Sequence, residues 1–204
     1  MNTISQSLAT HYRNTLAEHG ATARGVDWRD DKTAAIRHVQ MAKLFLPEAD
    51  TFTLLDVGCG YGAFADMLHP HYPNAHYHGV DIVEAMIAAA RVNHPEYSFT
   101  VGDFAESDLG QFDYVICNGI FTQKLEASAL AMETYVKHMV KKMFASARIG
   151  CCFNLMSSRA NFFAPNLFYR HPAEILTYCL SEVTSNVKLD HSYGLYEFTV
   201  YLYR

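Results

Sequence analysis

Apolar residues recur at every fourth position near the start of the chain. Ile4, Leu8, Tyr12 and Leu16 form one stripe, and Gly20 follows it as a stop. This spacing predicts a first helix. Residues 21–29 break the pattern and hold the single tryptophan, Trp28. Asp30 and Asp31 can then cap a second helix that runs to Leu46 and is closed by Pro47.

From Thr53 the texture changes to short apolar runs separated by helical segments. The runs are Thr53–Val57, Tyr77–Asp81, Tyr97–Val101, Phe112–Cys117 and Gly150–Met156. Helical patterns fill Ala63–Leu68, Val83–Asn93, Leu125–Arg148 and Pro172–Val183. Buried strands alternating with helices predict βαβ units and a parallel sheet covered on both faces. Met132, Val136, Met139, Val140, Met143 and Ala147 share one side of the longest helix and read as core. The end of the chain departs from this rhythm. Val187–His191 and Leu195–Tyr203 are separated by only three residues, too few for a parallel return, so an antiparallel hairpin is expected. Tyr196, Phe198, Val200 and Leu202 alternate along its second strand and define its apolar face.

Composition narrows what such a fold can do. Half of the 204 residues are hydrophobic and 18% are charged, enough for a sizeable core. A net charge of −5 argues against a nucleic-acid partner, which needs a basic stripe to neutralise phosphates. No apolar run reaches the roughly 18 residues that read as a membrane span, and the first twenty residues lack the basic-then-apolar order of a secretory signal. Cys59, Cys117, Cys151, Cys152 and Cys179 contain no C-x-x-C, so a reduced cytoplasmic protein without disulfides or metal is expected. His69, His71, His76 and His78 crowd one stretch, but no acidic or cysteine ligand accompanies them.

The densest chemistry lies in LLDVGCGYG, residues 54–62, where Gly58, Gly60 and Gly62 join a strand to a helix. Glycine there lets the backbone approach a ligand and adopt positive φ. Asp81 ends the next apolar run, where a carboxylate can accept from both hydroxyls of a ribose. A dinucleotide fits this much, but it usually comes with G-x-G-x-x-G and a helix N-terminus facing pyrophosphate. Here the third glycine falls one residue early, and Asp56 beside the loop repels phosphate. The residues favour a nucleoside without phosphates.

LLDVGCGYG, then GVD with Asp81, VGD with Asp103 and FDYVICNGIF resembles the ordered motif series of class I S-adenosylmethionine-dependent methyltransferases. The similarity covers residues 32–204, and the flanking segments resemble a subgroup of small bacterial methyltransferases without an assigned substrate. The resemblance implies a Rossmann-like α/β fold with a seven-stranded, mostly parallel sheet, a C-terminal antiparallel hairpin, helices on both faces and an N-terminal helical cap. Residues 1–50 would be the cap or lid and residues 51–204 the cofactor-binding domain.

It also implies roles. Gly58, Cys59 and Gly60 would bring their backbones against the methionine moiety, with Asp56 orienting the loop or the ammonium. Asp81 would hold the ribose hydroxyls, Ile82 and Met86 would pack the adenine, and Asp103 would accept from its amino group between Gly102 and Phe104. Asn118, Gly119 and Ile120 would sit at the edge of the substrate site. In the cap, Arg37 shares a face with Met41 and Leu44, within about 40° at 100° per residue. A guanidinium there can clamp the cofactor carboxylate, with Trp28 closing over the cofactor.

The expected activity is methyl transfer from S-adenosylmethionine to an oxygen or nitrogen of a small molecule by in-line displacement, leaving S-adenosylhomocysteine. Alignment and desolvation carry such a step, and a general base is needed only when the acceptor must lose a proton. His171, His191, Tyr193 and Lys124 are the candidate bases. Phe162, Phe163, Phe168, Tyr169, Tyr193 and Tyr196 suit a flat or amphipathic acceptor as well as they suit core packing. The expected partners are a small-molecule acceptor and at most a second copy of the chain, as a monomer or homodimer, with neither nucleic acid nor membrane. A nicotinamide-dependent oxidoreductase, a non-catalytic S-adenosylmethionine-binding module and an aminopropyl transferase stay open as alternatives.

Overall fold

A computed structural model of the protein describes residues 3–204. Helix α1 (Thr3–His19) leads through a single 3-10 turn (Arg24–Val26) to α2 (Asp31–Ala42). The strands and helices that follow are β1 (Phe52–Val57), α3 (Ala63–His71), β2 (Ala75–Asp81), α4 (Glu84–Asn93), β3 (Ser98–Val101) and β4 (Phe112–Cys117). The chain closes with α5 (Ala129–Ser146), β5 (Ala147–Ser157), β6 (Tyr169–Arg170), α6 (Pro172–Glu182), β7 (Val187–Asp190) and β8 (Glu197–Tyr203).

Local chemistry explains several boundaries. Asp30 caps α2 by accepting from the Thr33 N–H at 2.8 Å. α5 begins four residues later than its apolar pattern suggests. Leu125 adopts φ 50°, which breaks the helix, and Ser128 then caps it by accepting from the Ala131 N–H at 3.1 Å. His171 caps α6 in the same way, its Nδ1 accepting from Ala173 at 3.3 Å ahead of Pro172 at the first helical position.

The sheet runs β3-β2-β1-β4-β5-β8-β7, parallel from β3 to β5 and antiparallel through β8 and β7. The seven expected strands are joined by an eighth, since the two-residue β6 pairs with the end of β5. Parallel order with β1 between β2 and β4 brings the C-terminal ends of β1, β2, β3 and β4 to one edge, where ligands of such sheets bind.

The hairpin differs from its sequence reading in two ways. Residues 191–196 link its strands, so the turn is longer than three residues. β8 is also buried on both faces, because it lies inside the sheet and β7 forms the edge. Phe198, Val200 and Leu202 pack under α5 and α6, while Tyr201 points to the α2 side and donates to the Gln40 carbonyl at 2.9 Å. The alternation from Phe198 to Leu202 therefore reports one of two apolar faces, and Tyr196, outside the strand, is exposed.

The core has a layer on each face of the sheet. One gathers the α5 methionines with Ile175 and Cys179, and the other gathers Phe64, Leu68 and Ile87 with Met41 and Leu44. Met41 and Leu44 are fully buried, so α2 belongs to the main core. α1 instead packs on α4 and covers the C-terminal edge of the sheet.

Candidate active site

One cavity opens at that edge. Of the fifteen residues expected around a cofactor, fourteen line it: all except Arg37. Three loops at strand ends supply most of them. The glycine loop after β1 holds Gly58 at φ 73°, and a Cβ there would come within 2.4 Å of Ile120 Cδ1. Only glycine fits both the conformation and the space.

The loop is tied to the next strand by Asp81. Its Oδ2 accepts from the Gly60 N–H at 2.9 Å and its Oδ1 from the Val83 N–H at 2.8 Å. Burial raises the Asp81 carboxyl, and these N–H donors pull against that rise. Each oxygen keeps further acceptor capacity toward the cavity. Asp103 uses Oδ1 to accept from the Ala105 N–H at 3.0 Å, while its Oδ2 is buried with no partner among the described residues. Both polar atoms of the Asn118 side chain are likewise buried and unpartnered. Orphaned buried polar atoms are costly, and these line the same cavity as Met86 and Phe104. Their donor and acceptor chemistry fits an adenosyl group.

Asp56 lies deeper, accepting from the Tyr77 hydroxyl at 2.7 Å. Burial, with the charge of Asp81 adding to it, pushes its carboxyl up to about 7 despite that hydrogen bond. Cys59 is a packing residue whose thiol burial pushes well up.

Arg37 does not line the cavity. Its guanidinium is bound to Glu197, with Nε at 3.0 and 3.1 Å from the two carboxylate oxygens and Nη2 in contact with Oε1. The carboxylate that it clamps belongs to the chain itself and lies 160 positions away, while the buried Nη1 of the same guanidinium has no partner among the described residues. The pair continues inward. Asn154 donates to Glu197 at 2.8 Å and accepts from the Gly119 N–H at 2.8 Å. The Arg37 guanidinium also stacks 5.3 Å from the Trp28 ring, and Trp28 in turn lies against Gly119.

None of the four candidate bases lines the cavity. His171 is used as the α6 cap, and Lys124 donates to the Leu125 carbonyl at 3.2 Å. Tyr193 bonds Thr199 at 3.1 Å, and His191 is exposed and stacks on Phe198. The aromatic residues proposed for the acceptor are also elsewhere: Phe162, Phe163 and Tyr196 are exposed, and Phe168 is core.

The cavity is also lined by residues whose sequence pattern marks no site: Leu8 and Tyr12 of α1, His38 of α2, and Tyr135 and Met139 of α5. His38 stands between Trp28 and Phe64, and burial together with the adjacent Arg37 charge pulls its imidazole down to about 4. Burial raises the Tyr12 phenol well above its usual range. The available signal was position alone, since Leu8 and Tyr12 share the stripe on the helix that covers the sheet edge. Among the described residues no Lys or Arg lines the cavity, no cluster of three metal-ligating side chains occurs, and no helix is long and apolar enough to cross a membrane.

Comparison with known proteins points the same way. A family described as a methyltransferase domain matches residues 54–142. A Mycobacterium tuberculosis protein named as methyltransferase Rv1506c is 30% identical over 154 residues, covering 74% of this chain and 93% of that one. Among solved structures, magnesium protoporphyrin IX methyltransferase from Synechocystis with bound S-adenosylhomocysteine superposes with a TM-score of 0.62 at 16% identity, covering 85% of this chain and 82% of that one. Human N-acetylserotonin methyltransferase in complex with S-adenosylmethionine gives 0.65 at 12% identity, covering 98% and 66%.

Proposed function

The chain belongs to the class I S-adenosylmethionine-dependent methyltransferases, and from that premise we propose that it methylates a small-molecule acceptor inside the cavity under α1. The observation that carries the reading is the cavity's charge. Asp56, Asp81 and Asp103 line it and no Lys or Arg does, which suits a cationic nucleoside and repels the pyrophosphate of a dinucleotide.

On this reading Gly58, Cys59 and Gly60 admit the methionine moiety against their backbone, and Asp81 accepts from the ribose hydroxyls. Ile82, Met86 and Phe104 pack the adenine, Gly102 flanks it, and the free Asp103 Oδ2 accepts from its amino group. Asn118, Gly119 and Ile120 border the point of transfer, and Trp28 closes over it. Bound S-adenosylmethionine supplies a methyl group on a sulfonium, a good leaving group. The chain's own contribution is alignment and exclusion of water, which α1 and Trp28 provide by covering the sheet edge. His171, His191, Tyr193 and Lys124 take no proton in this scheme.

Titration calorimetry tests it. S-adenosylhomocysteine binds saturably and NADH gives no binding heat, while Asp81→Ala weakens S-adenosylhomocysteine at least tenfold, about 1.4 kcal/mol. Binding of NADH in preference to S-adenosylhomocysteine would falsify the assignment.

A further inference from the structure

Beyond the residues assigned to the cofactor, the cavity wall carries no formal charge. Leu8 and Tyr12 come from α1, and Tyr135 and Met139 from α5. Burial raises both phenols, so they face the cavity as neutral hydroxyls. His38 is held neutral by the same cause, strengthened by Arg37. Among the described residues, the only charges that line the cavity are carboxylates.

Two cations stack behind lining residues, and neither lines the cavity itself. Arg37, behind Trp28 and outside the lining, is paired with Glu197 through Nε and Nη2 and keeps a buried Nη1 without a partner among the described residues. Lys142, 5.3 Å from the Phe104 ring, donates to the Ala105 carbonyl at 3.0 Å. An anionic acceptor would therefore lose its hydration beside three aspartates and gain no counter-charge from any described lining side chain, which is unfavourable. A neutral aromatic or alicyclic molecule loses little hydration and gains contact with two tyrosines and a methionine.

Resting on the methyl-transfer reading, we infer that the acceptor is an uncharged, largely apolar molecule and that the α1–α5 wall discriminates against carboxylate and phosphate acceptors. The nucleophile is then a neutral hydroxyl, thiol or amine carried on an apolar frame. As it bonds the methyl carbon, the sulfonium C–S bond breaks to leave the neutral thioether, and the nucleophile's proton passes to solvent water. Selection follows from what the wall lacks as much as from what it offers, because a charge without a partner is excluded more strongly than a poor apolar fit.

A pair of probes that differ in charge tests this on the full-length protein saturated with S-adenosylhomocysteine. In calorimetry at pH 7.5, roughly the range where carboxylates are ionised and naphthols are not, 2-naphthol binds at least tenfold more tightly than 2-naphthoate. Leu8→Trp, which fills the wall from the peripheral helix, weakens 2-naphthol at least fivefold. Equal or tighter binding of 2-naphthoate overturns the inference, as does binding of neither probe, or 2-naphthol binding that Leu8→Trp leaves unchanged. If the protein fails to bind S-adenosylhomocysteine, the methyl-transfer reading itself is overturned. If it binds S-adenosylhomocysteine without discriminating between the probes, only the acceptor class is.

Discussion

Arg37 and Glu197 form an ion pair almost entirely out of water, with side-chain exposures of 14% and 2%. It joins α2 to the first residue of β8, and Asn154 extends it to the Gly119 N–H. Because Arg37 also stacks on Trp28, and Trp28 lies against Gly119, the contacts close into a ring. The cover over the sheet edge and the loop after β4 are thereby held in one arrangement.

Glu197→Gln leaves the guanidinium buried without its counter-ion. Breaking a buried pair from one side costs about 3–5 kcal/mol, and urea denaturation of the variant gives that loss. Adding Arg37→Met removes the orphaned charge and recovers at least half of it. A double variant no more stable than Glu197→Gln alone would show that packing, not charge, carries the effect.

Trp28 is the only tryptophan, so its emission reports on this ring of contacts. Gly119 has φ 96°, and a Cβ there would sit 3.4 Å from the Trp28 indole nitrogen. Gly119→Ala is expected to cost about 1–2 kcal/mol in backbone strain and to shift Trp28 emission to longer wavelength as the ring lifts into water. An unshifted spectrum means that the indole does not rest on that residue.

Gly58→Ala meets both a positive φ and the Ile120 side chain. Its loop must move to accommodate the methyl group, which takes the backbone away from the ligand. S-adenosylhomocysteine affinity is expected to fall at least tenfold, about 1.4 kcal/mol, in calorimetry.

Asp56 and His38 give opposite pH dependences. Asp56 is raised in the folded state to about 7 from an ordinary 3.8. The folded protein therefore holds the extra proton, and stability falls as pH rises from about 4 through 7, by up to about 4 kcal/mol. Asp56→Asn keeps a group able to accept from Tyr77 and removes this slope. Its gain in melting temperature over wild type should be larger at pH 8 than at pH 5, both measured without ligand.

His38 is lowered to about 4 from 6.5. Here the unfolded chain holds the extra proton, so stability is lost as pH falls from about 6.5 toward 4, by up to about 3 kcal/mol. His38→Phe preserves the ring between Trp28 and Phe64 and lacks the titrating group. Its advantage over wild type should appear at pH 4.5 and vanish at pH 7.5.

Much of the fold is written locally. The strand runs, the glycine loop and the positions of Asp81 and Asp103 follow from hydrophobic period and backbone requirements that act within a few residues. That is why fourteen of the fifteen residues expected around the cofactor meet in one cavity. Arg37 lies outside that cavity for the complementary reason. Its neighbours on α2 place it on a half-buried face, but Glu197 enters from a strand 160 positions later, and no local pattern records which carboxylate a guanidinium will find. The same holds for the candidate bases, whose proximity to strand ends in sequence did not bring them into the cavity. It holds for β8 as well, since a period of two marks one apolar face and only the placement of β7 outside it makes the second face buried. The sequence by itself determines the parallel sheet, the loop that receives a nucleoside and the carboxylates that line it. The tertiary structure alone decides which charges are neutralised within the chain and which uncharged side chains of α1 and α5 line the cavity, because those depend on contacts between segments whose separation along the chain carries no periodic signal.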